Sequence, residues 1–382
     1  MKKLLLFLFF FLFGFGEIHA QFTNNNWCFG DSAGIRFVPN LSIFKCGASF
    51  SRGTASISDL NGDLILYGST SNTTNGSSGQ IKEGKLFNKQ HLKLFNGDTL
   101  VGGNWYHDML ILPKSILDST FFVFVAGVVT PDTGLWYSIV DMKLQSGLGQ
   151  VVQKNIRYTM NPVQDMLTAV KHGNGKDWWL VTRPWYSNAT FTPTDEFRVY
   201  LIDSTGITPL PAQNLGLAHF DGAGDMSFNR EGNKLVLCGW NNYLGLFDFD
   251  RCTGLISNEV VIEPDGTLHP FKIYTSAVFS SDGSKLYVNS SQEYYNRAGK
   301  LYQFDLNASI ISNSRVLIDS FPVAAENFGM ERGIDGKIYI SSLQTGFCNY
   351  PFPPGCISTM NSNLSIINYP DSLRSCLRFS AL

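Results

Sequence analysis

The stretch AVFSSDGSKLYVNSS (277–291) decides the fold, because similar stretches recur along the chain. They are ASISDLNGDLILYGS (55–69), AVKHGNGKDWWLVTR (169–183), MSFNREGNKLVLCGW (226–240) and GMERGIDGKIYISSL (329–343). In each stretch a short apolar segment leads into a polar turn that contains glycine, and an alternating apolar segment follows. This pattern is typical of a β-hairpin.

The turn glycines are regularly spaced along the chain. Gly175, Gly232, Gly283 and Gly336 follow one another at 51 to 57 residues, and Gly62 precedes Gly175 by 113. The segment MLILPKSILDSTFFVFVAG (109–127) fills that longer gap with a degenerate turn near residues 117–118. Apolar segments ending in Asp, such as YLGLFDFD (243–250), follow several hairpins. Six units of about four short strands predict the blades of a β-propeller, whereas β-solenoids use much shorter repeats.

Two strand-like segments at the ends of the mature chain belong to no complete unit. They are NWCFGDSAGIRFV (26–38) and SCLRFSAL (375–382). Because propellers often close with a blade built from both termini, which removes the exposed sheet edges, we expect these segments to share a seventh blade. The sequence therefore predicts an all-β, seven-bladed propeller of four-stranded blades, with residues 21–382 forming a single domain.

The N-terminus has the pattern of a secretory leader. Two lysines precede an apolar run from Leu4 to about Gly16, and the small residue Ala20 ends a cleavage-site pattern, so residues 1–20 are predicted to be a signal peptide. The following sequence contains no apolar stretch long enough to span a membrane. We therefore expect export to the periplasm, the outer surface or the medium. The formal net charge of −2 and the lack of a Lys/Arg run argue against a nucleic-acid partner.

Several motifs together resemble one protein family. NNNWCFGDSAGIRF (24–37), ASISDLNGDLILYG (55–68), LFDFDRCTGLIS (246–257) and FSSDGSKLYV (279–288) resemble secreted β-propeller proteins of Bacteroidota, which have an N-terminal WxFG-type block and FSPDGxKLYV-type blade repeats. The resemblance runs from about residue 25 to residue 370. It implies a propeller fold and export. Members of that family often carry a type IX sorting domain, and none is recognisable in this sequence.

The FGDS block (29–32) raises the question of a serine nucleophile. A GDSL-type esterase needs a histidine base in an Asp-x-x-His motif near the C-terminus, and no histidine here has that spacing. Without a base a serine hydroxyl is a weak nucleophile. Ser32 is therefore predicted to lie in a turn, and no catalytic residue is assigned.

The dipeptide Asp-Met recurs at Asp108, Asp165 and Asp225, each at the start of a predicted first strand. First strands line the channel of a propeller, so these carboxylates are expected to gather at one rim. The candidate rim residues are Asp108, Asp165, Asp225, Glu326, His107 and His172. Gathered carboxylates repel one another unless a cation relieves them, and calcium suits oxygen ligands, so Asp108, Asp165 and Asp225 are candidate calcium ligands. The alternative is that each Asp accepts hydrogen bonds from backbone at the start of its strand.

Seven cysteines form the last feature with chemical content. Cys348 and Cys356 bracket a proline-rich segment, NYPFPPG (349–355), and are the candidate disulfide in an oxidising compartment. Cys28 is placed to reach either Cys46 or Cys376 if the closing blade forms as expected.

Three functions are compatible with this sequence. The first is a binding or scaffold module at the cell envelope whose partner is a protein or a glycan. The second is a lactonase-like hydrolase in which a channel-bound cation polarises a carbonyl or activates water. The third is a structural part of a surface or motility apparatus. The fold alone does not distinguish them.

Overall fold

The computed structural model describes residues 24–49, 53–70, 83–102, 107–115, 119–128, 132–186, 192–219, 224–239, 242–263, 272–292, 299–320, 325–344, 363–373 and 377–378. These residues form seven antiparallel sheets, numbered here as blades 1 to 7 in chain order. The predicted signal peptide, Cys348, Cys356 and Cys376 lie outside the described residues.

Blades 1 to 3 are built from consecutive strands. Blade 1 contains β1 (Asn26–Phe29), β2 (Asp31–Arg36) and β3 (Ser42–Ser49), and blade 2 contains β4 (Thr54–Ser58), β5 (Leu64–Ser69) and β6 (Lys85–Asn88). Blade 3 contains β7 (Met109–Pro113), β8 (Thr120–Gly127), β9 (Gly134–Asp141) and β10 (Gln150–Thr159). A short helical turn, α1 (Leu144–Gly147), precedes β10.

Blades 4 to 7 have four or more strands each. Blade 4 contains β11 (Thr168–Lys171), β12 (Trp178–Thr182), β13 (Thr194–Asp203), β14 (Gly206–Pro209) and β15 (Gln213–His219), and blade 5 contains β16 (Gly224–Phe228), β17 (Lys234–Gly239), β18 (Tyr243–Asp250) and β19 (Leu255–Glu263). Blade 6 contains β20 (Lys272–Phe279), β21 (Lys285–Gln292), β22 (Gly299–Asp305) and β23 (Val316–Ser320), with a 3₁₀ turn at Ile311–Ser314. Blade 7 contains β24 (Ala325–Arg332), β25 (Ile338–Gln344), β26 (Leu364–Ile367) and β27 (Leu377–Arg378).

The repeat predicted from the turn glycines is confirmed. Each of the five glycines lies between the first and second strands of a blade, with φ between +71° and +87°, a region that glycine adopts without strain. In every case the glycine N–H donates to the carbonyl three residues earlier, as Gly232 does to Asn229 at 3.0 Å. The degenerate unit (109–127) forms β7 and β8, as expected.

Seven apolar clusters lie between the blades. Blades 1 and 2 share Cys28 and Tyr67 in one cluster, and blades 6 and 7 share Leu301 and Ile340 in another. The ring closes where Phe37 of blade 1 packs with Tyr339 of blade 7. Each blade thus buries both faces of its sheet against neighbours, which gives a closed seven-bladed propeller.

The expectation of a blade shared by both termini is wrong for the described strands. Blade 1 consists of three N-terminal strands, and the C-terminal β27 pairs with β26 in blade 7. The reason is proximity along the chain, because only a short connection separates Ile367 from Leu377 and consecutive strands usually pair. Side-chain packing rather than a shared sheet therefore closes the ring.

No helix among the described residues is long and apolar enough to cross a membrane.

Candidate functional site in the central channel

The three Asp-Met aspartates do not occupy equivalent positions. Asp108 immediately precedes β7, Asp165 lies three residues before β11, and Asp225 is the second residue of β16. All three side chains are buried. The dipeptide repeat therefore marks the beginning of three inner strands, with a different number of residues between each Asp and the start of its strand.

Asp108 and Asp225 bind neighbouring blades. Both carboxylate oxygens of Asp108 accept from the Thr70 hydroxyl of blade 2, at 3.0 and 2.9 Å. Oδ2 of Asp225 accepts from Oγ of Ser276 at 3.0 Å and from the backbone N–H of Ala277 at 3.1 Å, both in blade 6. Each of these carboxylates thus joins its own blade to a neighbouring blade, a longer-range role than bonding to the backbone of its own strand.

The two candidate histidines lie at opposite ends of the inner strands. His107 precedes β7, and its carbonyl accepts from the N–H of Leu167 in blade 4 at 3.0 Å. His172 instead follows the last residue of β11, in the hairpin turn, where its ring stacks on Trp179 at 5.0 Å. Because a strand runs from one face of the propeller to the other, the expectation that His172 shares a rim with Asp165 is wrong.

Glu326 lies in β24, where it pairs with Leu343, and its side chain is outside the described part of the chain. Within the residues that the structure describes, no group of three or more His, Cys, Asp or Glu side chains is placed to hold a metal ion. The carboxylates of Asp108 and Asp225 already accept hydrogen bonds from protein donors. We therefore derive no chemistry through a calcium ion.

Side chains from two non-adjacent blades approach each other near the propeller axis, and a third blade places a carboxyl group within electrostatic reach of both. Nε2 of His107 from blade 3 lies 3.6 Å from Oδ1 of Asp225 from blade 5. Glu331 of β24 in blade 7 interacts electrostatically with both. Blades 3, 5 and 7 are not neighbours in the ring, so their side chains converge in the central channel. We call His107, Asp225 and Glu331 the channel cluster.

The channel cluster contains a carboxyl group with unusual acidity. The Glu331 side chain is exposed to solvent, yet enough protein atoms surround it for desolvation to be the largest influence on its pKa. Desolvation and, to a smaller extent, the charge of Asp225 raise its pKa to about 7, against the opposing effects of His107 and Arg332. Near neutral pH Glu331 is therefore divided between a form that donates a hydrogen bond and a form that only accepts.

Glu331 was missed by the sequence analysis, although the aligned hairpins contain a signal. It lies five residues before its turn glycine, where the other repeats have Ile57, Val170, Ser227 and Val278. A lone carboxylate in a column of otherwise apolar and small residues departs from the repeat. The search for repeated residues overlooked it because only one blade carries it.

Comparisons with known proteins bear on the fold. No family profile matches the chain, and no curated protein matches its sequence. Two solved structures, from Bacteroides uniformis and Bacteroides fragilis and each provisionally named a 6-phosphogluconolactonase, align with TM-scores of 0.52 and 0.54. The first is 11% identical, covering 91% of this chain and 90% of its own; the second is 10% identical, covering 91% and 88%. The likeness defines this chain as a β-propeller protein.

Proposed function

We propose that this protein is an exported binding module whose central channel receives a polar ligand. The observation that carries the proposal is the convergence of the channel cluster from blades 3, 5 and 7. Its carboxylates accept hydrogen bonds, and protonated Glu331 donates one. This combination suits a polyhydroxylated ligand, so we propose a glycan as the partner. The leader pattern and the resemblance to secreted propellers support a location at or beyond the cell envelope.

The first experiment is a ligand screen on residues 21–382. Melting temperature is measured against a panel of mono- and oligosaccharides at pH 7, and hits are titrated by calorimetry. Glu331→Gln and Asp225→Asn are expected to weaken binding of a hit by about tenfold each, since each alters hydrogen bonds worth roughly 1.5–3 kcal/mol at a charged group.

Glu83→Gln is the matched control, because Glu83 is exposed and precedes blade 2 strand β6, away from the channel cluster in sequence and sheet. It is expected to bind the same sugar with unchanged affinity. Equal affinity in all three variants would contradict the proposed site.

A hydrolase acting on lactones is the second candidate, favoured by the acidity of Glu331. A group with a pKa near 7 is suited to general acid–base catalysis, and His107 beside Asp225 resembles a base with an orienting carboxylate. In this mechanism His107 takes a proton from water as it attacks the lactone carbonyl. Protonated Glu331 then donates a proton to the ring oxygen as the C–O bond breaks.

The test is a pH-stat assay with glucono-δ-lactone at pH 6 to 7. Hydrolysis above the spontaneous rate that is lost in both His107→Asn and Glu331→Gln would support the hydrolase. A rate equal to the spontaneous rate would exclude this lactone as a substrate, and the binding module would remain as the proposed function.

A further inference from the structure

A segment that is not a regular strand covers the outer edge of blade 2. Residues 89–101 follow β6 and run back along it, where the N–H of Leu94 donates to the carbonyl of Leu86 at 2.9 Å. The far end of the segment binds blade 3, because the side chain of Asn155 accepts from the N–H of Val101 at 3.0 Å. We call residues 89–101 the strap.

His91 anchors the near end of the strap against blades 1 and 2. Its ring stacks on Phe44 of β3, with the ring centroids 5.5 Å apart. Gly47 of the same strand approaches the His91 carbonyl so closely that a Cβ at this position would collide with it. Nδ1 of His91 lies 3.1 Å from the hydroxyl of Tyr67, a fully buried residue of β5 in blade 2. The imidazole therefore lies where the strap meets both blades.

The hydrogen bonds of Tyr67 determine which form of His91 fits. The Tyr67 oxygen accepts from the N–H of Gly47 at 2.8 Å, and its own O–H needs an acceptor. Nδ1 of a neutral imidazole is that acceptor when the ring proton is on Nε2. An imidazolium carries hydrogen on both nitrogens, so it leaves the buried Tyr67 O–H without an acceptor among the described residues.

The charges around His91 also favour its neutral form. Burial and the positive charge of Arg36 in β2 lower the pKa of His91, and no described carboxylate opposes them. The other titratable groups on the strap and on the strands beside it are Tyr67, the thiols of Cys28 and Cys46, Lys45, Lys89 and Lys93, which binds Asp98 at 2.7 Å. Protonation therefore places a second cation near Arg36.

We propose that the contact between His91 and Tyr67 is an acid-sensitive latch for the strap. Near neutral pH the uncharged ring accepts from Tyr67 and holds the near end of the strap in place. This contribution is lost as the pH falls through the lowered pKa of His91. The near end then detaches, while Asn155 keeps the far end on blade 3. The latch shares no residue with the channel cluster, so it does not depend on the proposed ligand.

Amide hydrogen exchange of the exported protein, residues 21–382, tests the latch. Exchange is measured at pH 7.5 and pH 4.5 and corrected for the intrinsic effect of pH on amides. We expect the corrected exchange of Leu94 to be about tenfold faster in acid, because the strap loses about one buried hydrogen bond. Strand β17 of blade 5 is expected to keep its protection at both pH values.

Three variants separate the latch from a general effect of acid. Asparagine tolerates the His91 φ of +63° and does not titrate, so His91→Asn is expected to exchange equally at both pH values in the strap. Tyr67→Phe is expected to exchange quickly at both. His172→Asn is the matched control, because Nδ1 of His172 accepts from the N–H of Asn174 in its own turn at 2.9 Å. It is expected to keep the wild-type response.

Two results would overturn the latch. The first is equal corrected exchange of the strap at both pH values in the wild-type protein, and the second is an acid response that persists in His91→Asn. Nitrogen NMR of the wild-type imidazole is a further measurement that needs no variant. At pH 7.5 the proton of His91 is expected on Nε2, and a proton on Nδ1 would contradict the hydrogen bond from Tyr67.

Discussion

At the scale of single residues, the raised pKa of Glu331 depends on charged side chains from other blades, so a single repeat unit could not produce it. Its neighbour Met330 is buried between blades 6 and 7, whereas Glu331 is turned toward residues from blades 3 and 5. A carboxyl group placed beside the buried Asp225 ionises with difficulty. The acidity of Glu331 is therefore a property of the closed ring.

This acidity predicts a pH dependence of stability. Since folding raises the pKa of Glu331 from 4.5 to about 7, the folded protein holds more protons than the unfolded chain between these values. Its contribution to stability is therefore present below pH 4.5 and is lost as the pH rises toward 7. Urea unfolding of the wild-type protein and Glu331→Gln at pH 5 and pH 8 tests this. The wild-type protein is expected to lose more stability across that interval, by an amount that solvent in the channel reduces.

Carboxyl groups with lowered pKa values act outside this window. Asp248, for example, has its pKa lowered by hydrogen bonds from Lys234 and Asn258, so its stabilising effect is lost only in acid. An identical pH response in the wild-type protein and Glu331→Gln would contradict the environment described for Glu331.

The sequence predicted part of the channel cluster. His107 and Asp225 were candidates because they flank the starts of inner strands, and the structure brings them within 3.6 Å. His172 satisfied the same reasoning, yet it lies at the other end of β11. The repeat predicts the order of the strands. It does not predict at which end of an inner strand a given side chain lies, because that depends on where the hydrogen-bonded strand begins and ends.

At the scale of strands, a hydrogen-bonded relay links three inner strands. Oγ of Ser276 in β20 donates to Asp225 in β16 and accepts from the N–H of Met330 in β24 at 3.1 Å. The Ser276 side chain is fully buried. One hydroxyl therefore joins blades 5, 6 and 7 beside the channel cluster.

Removing this hydroxyl is expected to destabilise the protein. Ser276→Ala removes the acceptor of the buried Met330 N–H and one of the donors to the buried Asp225 carboxylate, at a cost of about 1–3 kcal/mol. The measurement is the free energy of urea unfolding. Ser204→Ala, in the exposed turn between β13 and β14, is the control and is expected to change stability by less than about 0.5 kcal/mol. Equal effects of the two substitutions would contradict the relay.

The turn glycines allow a second test at this scale. Gly175 and Gly232 have the same φ of +72°, but an added Cβ meets open space at Gly175 and contacts Val170 of blade 4 and Arg251 at Gly232. Gly175→Ala is expected to cost roughly 1–2 kcal/mol from the left-handed backbone alone. Gly232→Ala is expected to cost about 1–3 kcal/mol more from crowding between blades. The loss of melting temperature in each variant separates the backbone effect from the packing effect. Equal losses would show that the side chains around Gly232 move aside without a measurable cost.

At the scale of the whole molecule, the repeat predicted seven blades but not how the ring closes. The hairpin glycines and alternating strands encode each blade locally, so these were readable from sequence. Closure depends on which surfaces the first and last sheets present to each other. The rings of Trp27, Phe37 and Tyr339 lie edge to face with centroids 4.7 to 5.4 Å apart at that boundary. No repeat pattern indicated this three-ring contact.

This mode of closure predicts where the ring opens first. Phe37→Ala removes a buried ring from the boundary between blades 1 and 7, at a cost of about 3–5 kcal/mol. Phe249→Ala removes an equally buried ring between blades 4 and 5 and is the matched control. Amide hydrogen exchange is expected to accelerate selectively in β1, β2, β24 and β25 of Phe37→Ala, because no shared strand holds blades 1 and 7 together. Acceleration spread evenly over all blades would show that the ring opens as one cooperative unit, and that packing between the first and last blades is as strong as elsewhere.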